Sequence, residues 1–264
     1  MAAIKKYQQE MFQVVAQKRF WLTNLGYSDV HPIWLLRTRL NRSHDDPKIL
    51  VVSGFHGEEP AGPYAVLKWL QNCDPKALKD YDISFIPIVN PGAFAKGTRY
   101  SAPDEISNCG FCHPEVDGDE KSVEGVVLAN SIDLLKPIAK DGYLSLHEDK
   151  DERKFYLYSF EEGTKEPGHV PMEIKKTLGQ HFKAFVDGDE VEVDCRRHKK
   201  VKVVNGMVHN FCDGSFDDWM FHLGVPYVIV TETPGRYKLS RRVDAGVAVI
   251  DRFITLILED QGDE

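Results

Sequence analysis

No stretch of the 264 residues stays apolar long enough to cross a bilayer as a helix, which takes roughly 20 residues; the most apolar segments, Ala245 to Ile250 and Phe253 to Leu258, are far shorter. The amino terminus does not look like an export leader either, since Lys5 and Lys6 run into Tyr7-Gln8-Gln9-Glu10 where an apolar core would be expected. The two absences predict a cytoplasmic protein with no membrane partner. Positive charge is in short supply: 33 Lys and Arg face 41 Asp and Glu, for a formal net charge of −8. The chain therefore lacks the field that nucleic acid or an anionic membrane surface requires. Its one basic run, Arg196-Arg197-His198-Lys199-Lys200-Val201-Lys202, comes soon after the acidic Asp187-Gly188-Asp189-Glu190. With Val191 and Val193 alternating among the charges, the segment is predicted to be a solvated hairpin or edge strand.

Cysteine is sparse and odd in number: Cys73, Cys109, Cys112, Cys195 and Cys212. Without a leader, that count predicts reduced thiols, not a disulfide scaffold. Cys109-Gly110-Phe111-Cys112-His113 spells the CxxCH of haem c attachment. Three readings stay open for it: loop cysteines, a redox or metal pair, and haem attachment. Loop cysteines are preferred, because haem attachment needs export and a redox pair is expected at a helix start after a strand. No covalent haem is expected. Repeats, low-complexity tracts and convincing linkers are absent, as are the GxSxG elbow, the Walker loop and GxGxxG.

What is present is an ordinary globular composition, 42% hydrophobic and 28% charged. The length suits one catalytic domain over residues 1–264. Apolar spacing predicts an N-terminal amphipathic helix over about 3–20, with Ile4, Tyr7, Met11, Val14 and Val15 inward, and a C-terminal helix over about 241–258. Between them, short apolar strands (Ile49–Val52, Ile83–Val89, Tyr143–Leu146, Pro226–Thr231) alternate with helical patterns (Pro60–Leu70, Glu120–Leu135). That alternation predicts an α/β fold, a mixed and mostly parallel sheet with helices on both faces. Ligands of such sheets bind beyond the carboxyl ends of the strands.

The residues at those ends can do chemistry. Gly54-Phe55-His56-Gly57-Glu58-Glu59 follows the first of these strands, with His56 and Glu59 three apart and, at a helix opening, pointing the same way. His147 follows the third strand and Glu232 the fourth. Two His and a Glu, with a fourth position left to water, make a catalytic zinc set. A further Glu beside that water would be its base. A second metal near Glu58, Glu148 or Asp149 stays open.

With these blocks in order, the chain resembles the zinc carboxypeptidase family over roughly residues 46 to 258. Gly54 to Glu59 is similar to its first ligand block. Asn90-Pro91-Gly92-Ala93-Phe94 with Gly97-Thr98-Arg99-Tyr100 resembles the segment carrying an active-site arginine, and Leu144-Ser145-Leu146-His147 the third-ligand block. Gly214-Ser215-Phe216-Asp217-Asp218-Trp219, followed by Thr231-Glu232, resembles the distal block with the catalytic glutamate. The resemblance implies one zinc per chain on His56, Glu59 and His147, Glu232 as general base, and Arg99 as stabiliser of the oxyanion. It also exposes departures. The family's Asn-Arg pair for the substrate carboxylate is represented by Asn108 with Cys109 where the arginine would stand, and His209 or Asn210 occupies the neighbourhood of its substrate-side tyrosine. Substrate residues are thus expected at Asn108 and His209.

The function expected is zinc-dependent cleavage of a peptide or amide bond in a small peptide, of carboxypeptidase or peptide amidase type. The alternative is an N-acyl amino acid deacylase of the aspartoacylase/succinylglutamate desuccinylase type, which His-Gly-x-Glu and Thr-Glu-Thr-Pro also resemble. Against it, those enzymes usually carry a β-rich domain after the glutamate, and here 32 residues, mostly one helix, follow Glu232. A non-catalytic scaffold would have lost a ligand or Glu232, and none is lost.

Overall fold

Burial of one stripe explains the first element of the computed structural model, which describes residues 2–38, 46–74, 78, 81–103, 105–112, 120–193, 195 and 199–261. Helix α1 (Ala2–Lys18) turns Ile4, Tyr7, Met11, Val14 and Val15 inward, all of them buried. Strands β1 (Phe20–Ser28) and β2 (His31–Thr38) follow as an antiparallel pair. Next come β3 (Lys48–Ser53), α2 (Ala61–Asn72), β4 (Asp82–Ile86) and α3 (Pro91–Lys96). Asn90 caps α3 by accepting from the Ala93 N–H, with Pro91 at the first helical position.

The helix predicted over Glu120–Leu135 is two helices, α4 (Val123–Asn130) and α5 (Ile132–Ile138). Ser122 sets the start by accepting from the Gly125 N–H, and Ser131, whose hydroxyl donates back to the Val127 carbonyl, marks the break. Then follow β5 (Gly142–Asp149), β6 (Lys154–Phe160), α6 (His169–Gly179), β7 (Lys183–Ala184), β8 (Glu190–Val193), β9 (Lys199–Lys202) and β10 (Met207–His209). The last elements are α7 (Phe216–His222), β11 (Val228–Pro234) and α8 (Leu239–Gln261).

The main sheet runs β1-β2-β4-β3-β5-β11-β6-β10, with β7 on β6. Its centre is parallel (β4, β3, β5, β11), while β1, β2 and the β6–β11 pair are antiparallel. Alternate residues of each strand feed two cores. Ile49, Val51, Leu144, Leu146 and Ile229 pack toward α1, α2, α6 and α8; Leu50, Val52, Tyr143, Val228 and Val230 pack toward α4, α5 and α7. The fold is therefore the mixed, mostly parallel α/β sheet with helices on both faces. The segment around the basic run is an antiparallel pair, β8 with β9, as the charge alternation predicts; Arg196, Arg197 and His198 lie outside the described residues.

Two expectations are corrected. His147 and Glu232 lie inside β5 and β11, not beyond their ends, because the β5–β11 ladder continues through Asp149 and Pro234. The thiols are not all reduced: Cys109 is joined to Cys195 by a disulfide, both residues buried, which removes Cys109 from any pairing with Cys112. His113 of the CxxCH run lies outside the described residues. Among the described residues no helix is long and apolar enough to cross a membrane.

Candidate active site

Strand β3 delivers the chain into a sharp turn at Gly54, whose φ of +70° suits glycine. His56 and Glu59 are held in this turn, just ahead of α2, by a Glu59 N–H to His56 carbonyl bond of 3.2 Å. The turn presses against the start of α3: a Cβ on Gly57 would lie 2.0 Å from the Ala93 carbonyl carbon. Spacing and glycines of the first block thus follow from how closely two backbones approach.

The turn faces β5. His56 Nδ1 lies 2.6 Å from Glu59 Oε1, and His147 Nδ1 3.1 Å from Glu59 Oε2. Glu59 Oε2 also accepts from the Glu148 N–H at 3.2 Å. The His147 ring stacks on Phe55 at 5.4 Å between centroids. All three side chains are buried, and their ligating atoms lie within 4.8 Å of one another. Two imidazole nitrogens and a carboxylate form a donor set that fits zinc. Electrostatics point the same way. Burial works to raise the Glu59 carboxyl, but the facing His56 and His147 outweigh it and hold it well below the ordinary carboxylate range. Burial lowers the His56 imidazole; at His147 burial also works to lower it, but the hydrogen bond to Glu59 and the Glu59 charge together outweigh it and raise it.

Glu232 stands opposite His147 in the β5–β11 register. Burial, and then the charges of Glu59 and Asp149, raise its pKa well above the usual value. Arg99, in the turn after α3, places Nη1 3.1 Å from Glu59 Oε1 and 3.5 Å from Glu58 Oε1. Glu58 also accepts from Lys150 Nζ at 2.9 Å, while Glu148 is tied to Arg242 and caps α2 through the Ala61 N–H at 2.7 Å. Glu58, Glu148 and Asp149 do not gather as a second ligand group among the described residues.

A cavity of about 440 Å³ opens over these groups. His56, Glu59, His147, Arg99, Glu232 and Asn108 all line it. His209 does not: its ring lies between the hydroxyls of Ser159 (2.9 Å) and Thr164 (3.0 Å) at the end of β10. Asn108 reaches the wall with its amide engaged, Nδ2 donating to Asp217 Oδ2 at 2.7 Å and Oδ1 accepting from the Phe216 N–H at 2.9 Å. The lining includes residues that the sequence reading missed: Tyr156 and Tyr158 from β6, Glu192 and Cys195 from the β8 segment, and Asp213 and Asp217 before and in α7. The alternation of Phe155, Leu157 and Ser159 with Tyr156, Tyr158 and Phe160 could have revealed β6. No sequence signal announces Cys195. Asp213 is buried, which pushes its carboxyl up to about 7.

Comparison with known proteins adds relatives of similar length. Residues 45–108 match the model of the succinylglutamate desuccinylase/aspartoacylase catalytic domain. A "putative metallopeptidase" of Shewanella denitrificans OS217 is 32% identical, with 96% of this chain and 90% of that one covered and a TM-score of 0.84. One of the same description from Shewanella amazonensis SB2B is 31% identical over 96% and 93%, with a TM-score of 0.87. A metallo-carboxypeptidase of Burkholderia cenocepacia shares the fold at 14% identity, covering 97% of this chain and 69% of that one, with a TM-score of 0.69. None of the curated proteins matches the sequence.

Proposed function

This chain belongs to the zinc carboxypeptidase family, as a metallocarboxypeptidase-like member related to the succinylglutamate desuccinylase/aspartoacylase branch, and from that premise we propose a zinc-dependent hydrolase that cleaves a peptide or amide bond. The observation that carries the reading is the meeting of buried His56, Glu59 and His147 with Glu232 across the β5–β11 ladder. His56, Glu59 and His147 would hold the zinc, which when bound would supply Lewis-acid chemistry, lowering the pKa of a water molecule and polarising the scissile carbonyl. Glu232 accepts the proton of the attacking water and passes it to the leaving nitrogen, a task suited to a carboxylate of raised pKa. The Arg99 guanidinium, which lines the cavity 3.1 Å from Glu59, would stabilise the oxygen on which negative charge develops.

The rest of the lining supports a substrate whose far end is neutral or cationic. Glu192, Asp149, Asp151, Asp213 and Asp217 contribute to the wall, while its cations, Arg99 and Lys150, are both paired to Glu58. No guanidinium stands at Cys109 to grip a free carboxylate. A deacylase acting on an N-acyl amino acid is the second reading, favoured by the match over residues 45–108 and disfavoured by the same acidic wall.

Incubation of the purified protein with pooled peptides, cell-wall peptides and N-acyl amino acids, read by mass spectrometry, separates the two. Peptide or amide cleavage that chelation abolishes and zinc restores is the expected result. Turnover of N-acyl amino acids alone would establish the second reading, and a zinc-loaded protein that cleaves nothing in the pools would overturn both.

A further inference from the structure

Behind the substrate wall, the loop 107–112 lies against α7. The Phe111 N–H donates to the Gly214 carbonyl at 2.9 Å, and Cys112 Sγ lies 3.9 Å from the Ser215 carbonyl. Neighbouring residues of α7 face opposite ways: Asp217 lines the cavity, while Asp218 turns toward the loop. There Cys112, Asp218 and His222 bring a sulfur, an oxygen and a nitrogen within 4.8 Å of one another.

The carboxylate of Asp218 is divided in its duties. Ser215 caps α7 by accepting from the Asp218 N–H at 3.1 Å, and Asp218 Oδ2 reaches back to accept from the Gly214 N–H at 2.9 Å, a reciprocal cap. Oδ1 is left over. It is fully buried and accepts no hydrogen bond of good geometry, its compensation being the ion-pair contact with His222. His222, one turn further along the same face, places Nε2 3.2 Å from it. Ligands about 2.0–2.3 Å from a tetrahedral zinc stand roughly 3.3–3.8 Å apart, so the oxygen and nitrogen are already spaced as neighbouring ligands would be.

We propose that Cys112, Asp218 and His222 form a second divalent-metal site, zinc being the best match to a thiolate, carboxylate and imidazole set, with the fourth position open to water. Binding converts the Cys112 thiol to a thiolate and releases its proton. The partly exposed His222 gives the ion a way in. By joining the loop to α7, the ion locks the back of the wall that carries Asn108 and Asp217.

The site is tested with cobalt(II), because it contains a thiolate and the His56, Glu59 and His147 cluster does not. The metal-free protein, kept unreduced so that Cys109 and Cys195 stay joined, is titrated with cobalt and followed by absorption and elemental analysis. A thiolate-to-cobalt charge-transfer band is expected in the wild type. Cys112→Ser should lose the band, and His222→Asn should weaken binding by at least about tenfold, the usual loss for a ligand-shell change. Metal content should fall from about two per chain to about one in Cys112→Ser, the remaining ion being that of the cluster. A band that survives in Cys112→Ser, or no band in the wild type, overturns the proposal. Failure of the catalytic reading looks different: one ion per chain, with the thiolate band intact. Circular dichroism of Cys112→Ser and His222→Asn, both substituted outside the reciprocal cap, checks that the fold persists.

Discussion

The two sides of the cavity are built by different means. On one side stand His56, Glu59, His147 and Glu232, carried by β3, β5 and β11 or by the turn that leaves β3, with every neighbour fixed by a sheet ladder or by backbone packed on backbone. On the other side stand the loop 107–112, the β8–β9 pair and the start of α7, held by the Cys109–Cys195 disulfide and by side chains bonded to main chain at Asn108 and Ser215. The first side, the proposed chemical side, belongs to the frame of the sheet. The second, the proposed substrate side, is joined to it by a few long-range ties, so its residues can be changed without touching the frame. That division suits a fold shared at 14% identity by a metallo-carboxypeptidase.

Breaking the chemical side should have the largest effect. Glu232→Gln keeps the size of the side chain and removes its capacity to take a proton, so kcat is expected to fall by about 100- to 10,000-fold with zinc content and melting temperature retained. Because the base must be ionised, wild-type activity should rise with pH through the raised pKa of Glu232, and that acid limb should vanish in the variant. Turnover preserved in zinc-loaded Glu232→Gln would leave the mechanism without a base. Gly57→Ala attacks the same side through its packing. Its methyl would meet the Ala93 backbone at 2.0 Å, so a loss of about 3 kcal/mol in chemical denaturation is expected, together with weaker zinc retention.

The substrate side should respond more gently and in another parameter. Cys109→Ser with Cys195→Ser removes a link between residues 86 apart in sequence. The expected cost is about 2 kcal/mol, near the low end for disulfides because Asn108 still ties the loop to α7. KM should rise by a larger factor than kcat falls; a fall in kcat as large as the rise in KM would mean that the two sides are not separable. A pH-dependent effect on stability alone concerns Asp213. Its pKa is about 7 in the folded chain, above that of an unfolded aspartate, so the native state holds more protons and stability declines as pH rises from about 4 to 7. Asp213→Asn should flatten that decline, raising the melting temperature at pH 8 more than at pH 5 in calorimetry.

The same contrast governs what could be read in advance. The ligand block was legible because His56, Gly57 and Glu59 are consecutive and their spacing is set by one turn. His147 and Glu232 stand out because each follows a short apolar run, although the strand itself continues past it. The β1–β2 pair was overlooked because β1 buries only its ends, leaving no inner face to read. Cys195 and Asp217 join the wall through contacts with residues about a hundred positions away, and local periodicity carries no trace of such contacts. His209 lies off the cavity for a related reason: a position beside a matched block does not say which way the strand end will turn, and β10 directs it to Ser159 and Thr164.

Strand β11 is laid between β5 and β6 although both precede it in the chain. Its ladders join β5 on one side and β6 on the other, so the strand that closes both edges is also the one that sets Glu232 opposite His147. Removing β11 would leave two unpaired edges and no Glu232 beside the cluster, so the integrity of the sheet and the presence of the proposed base are a single requirement.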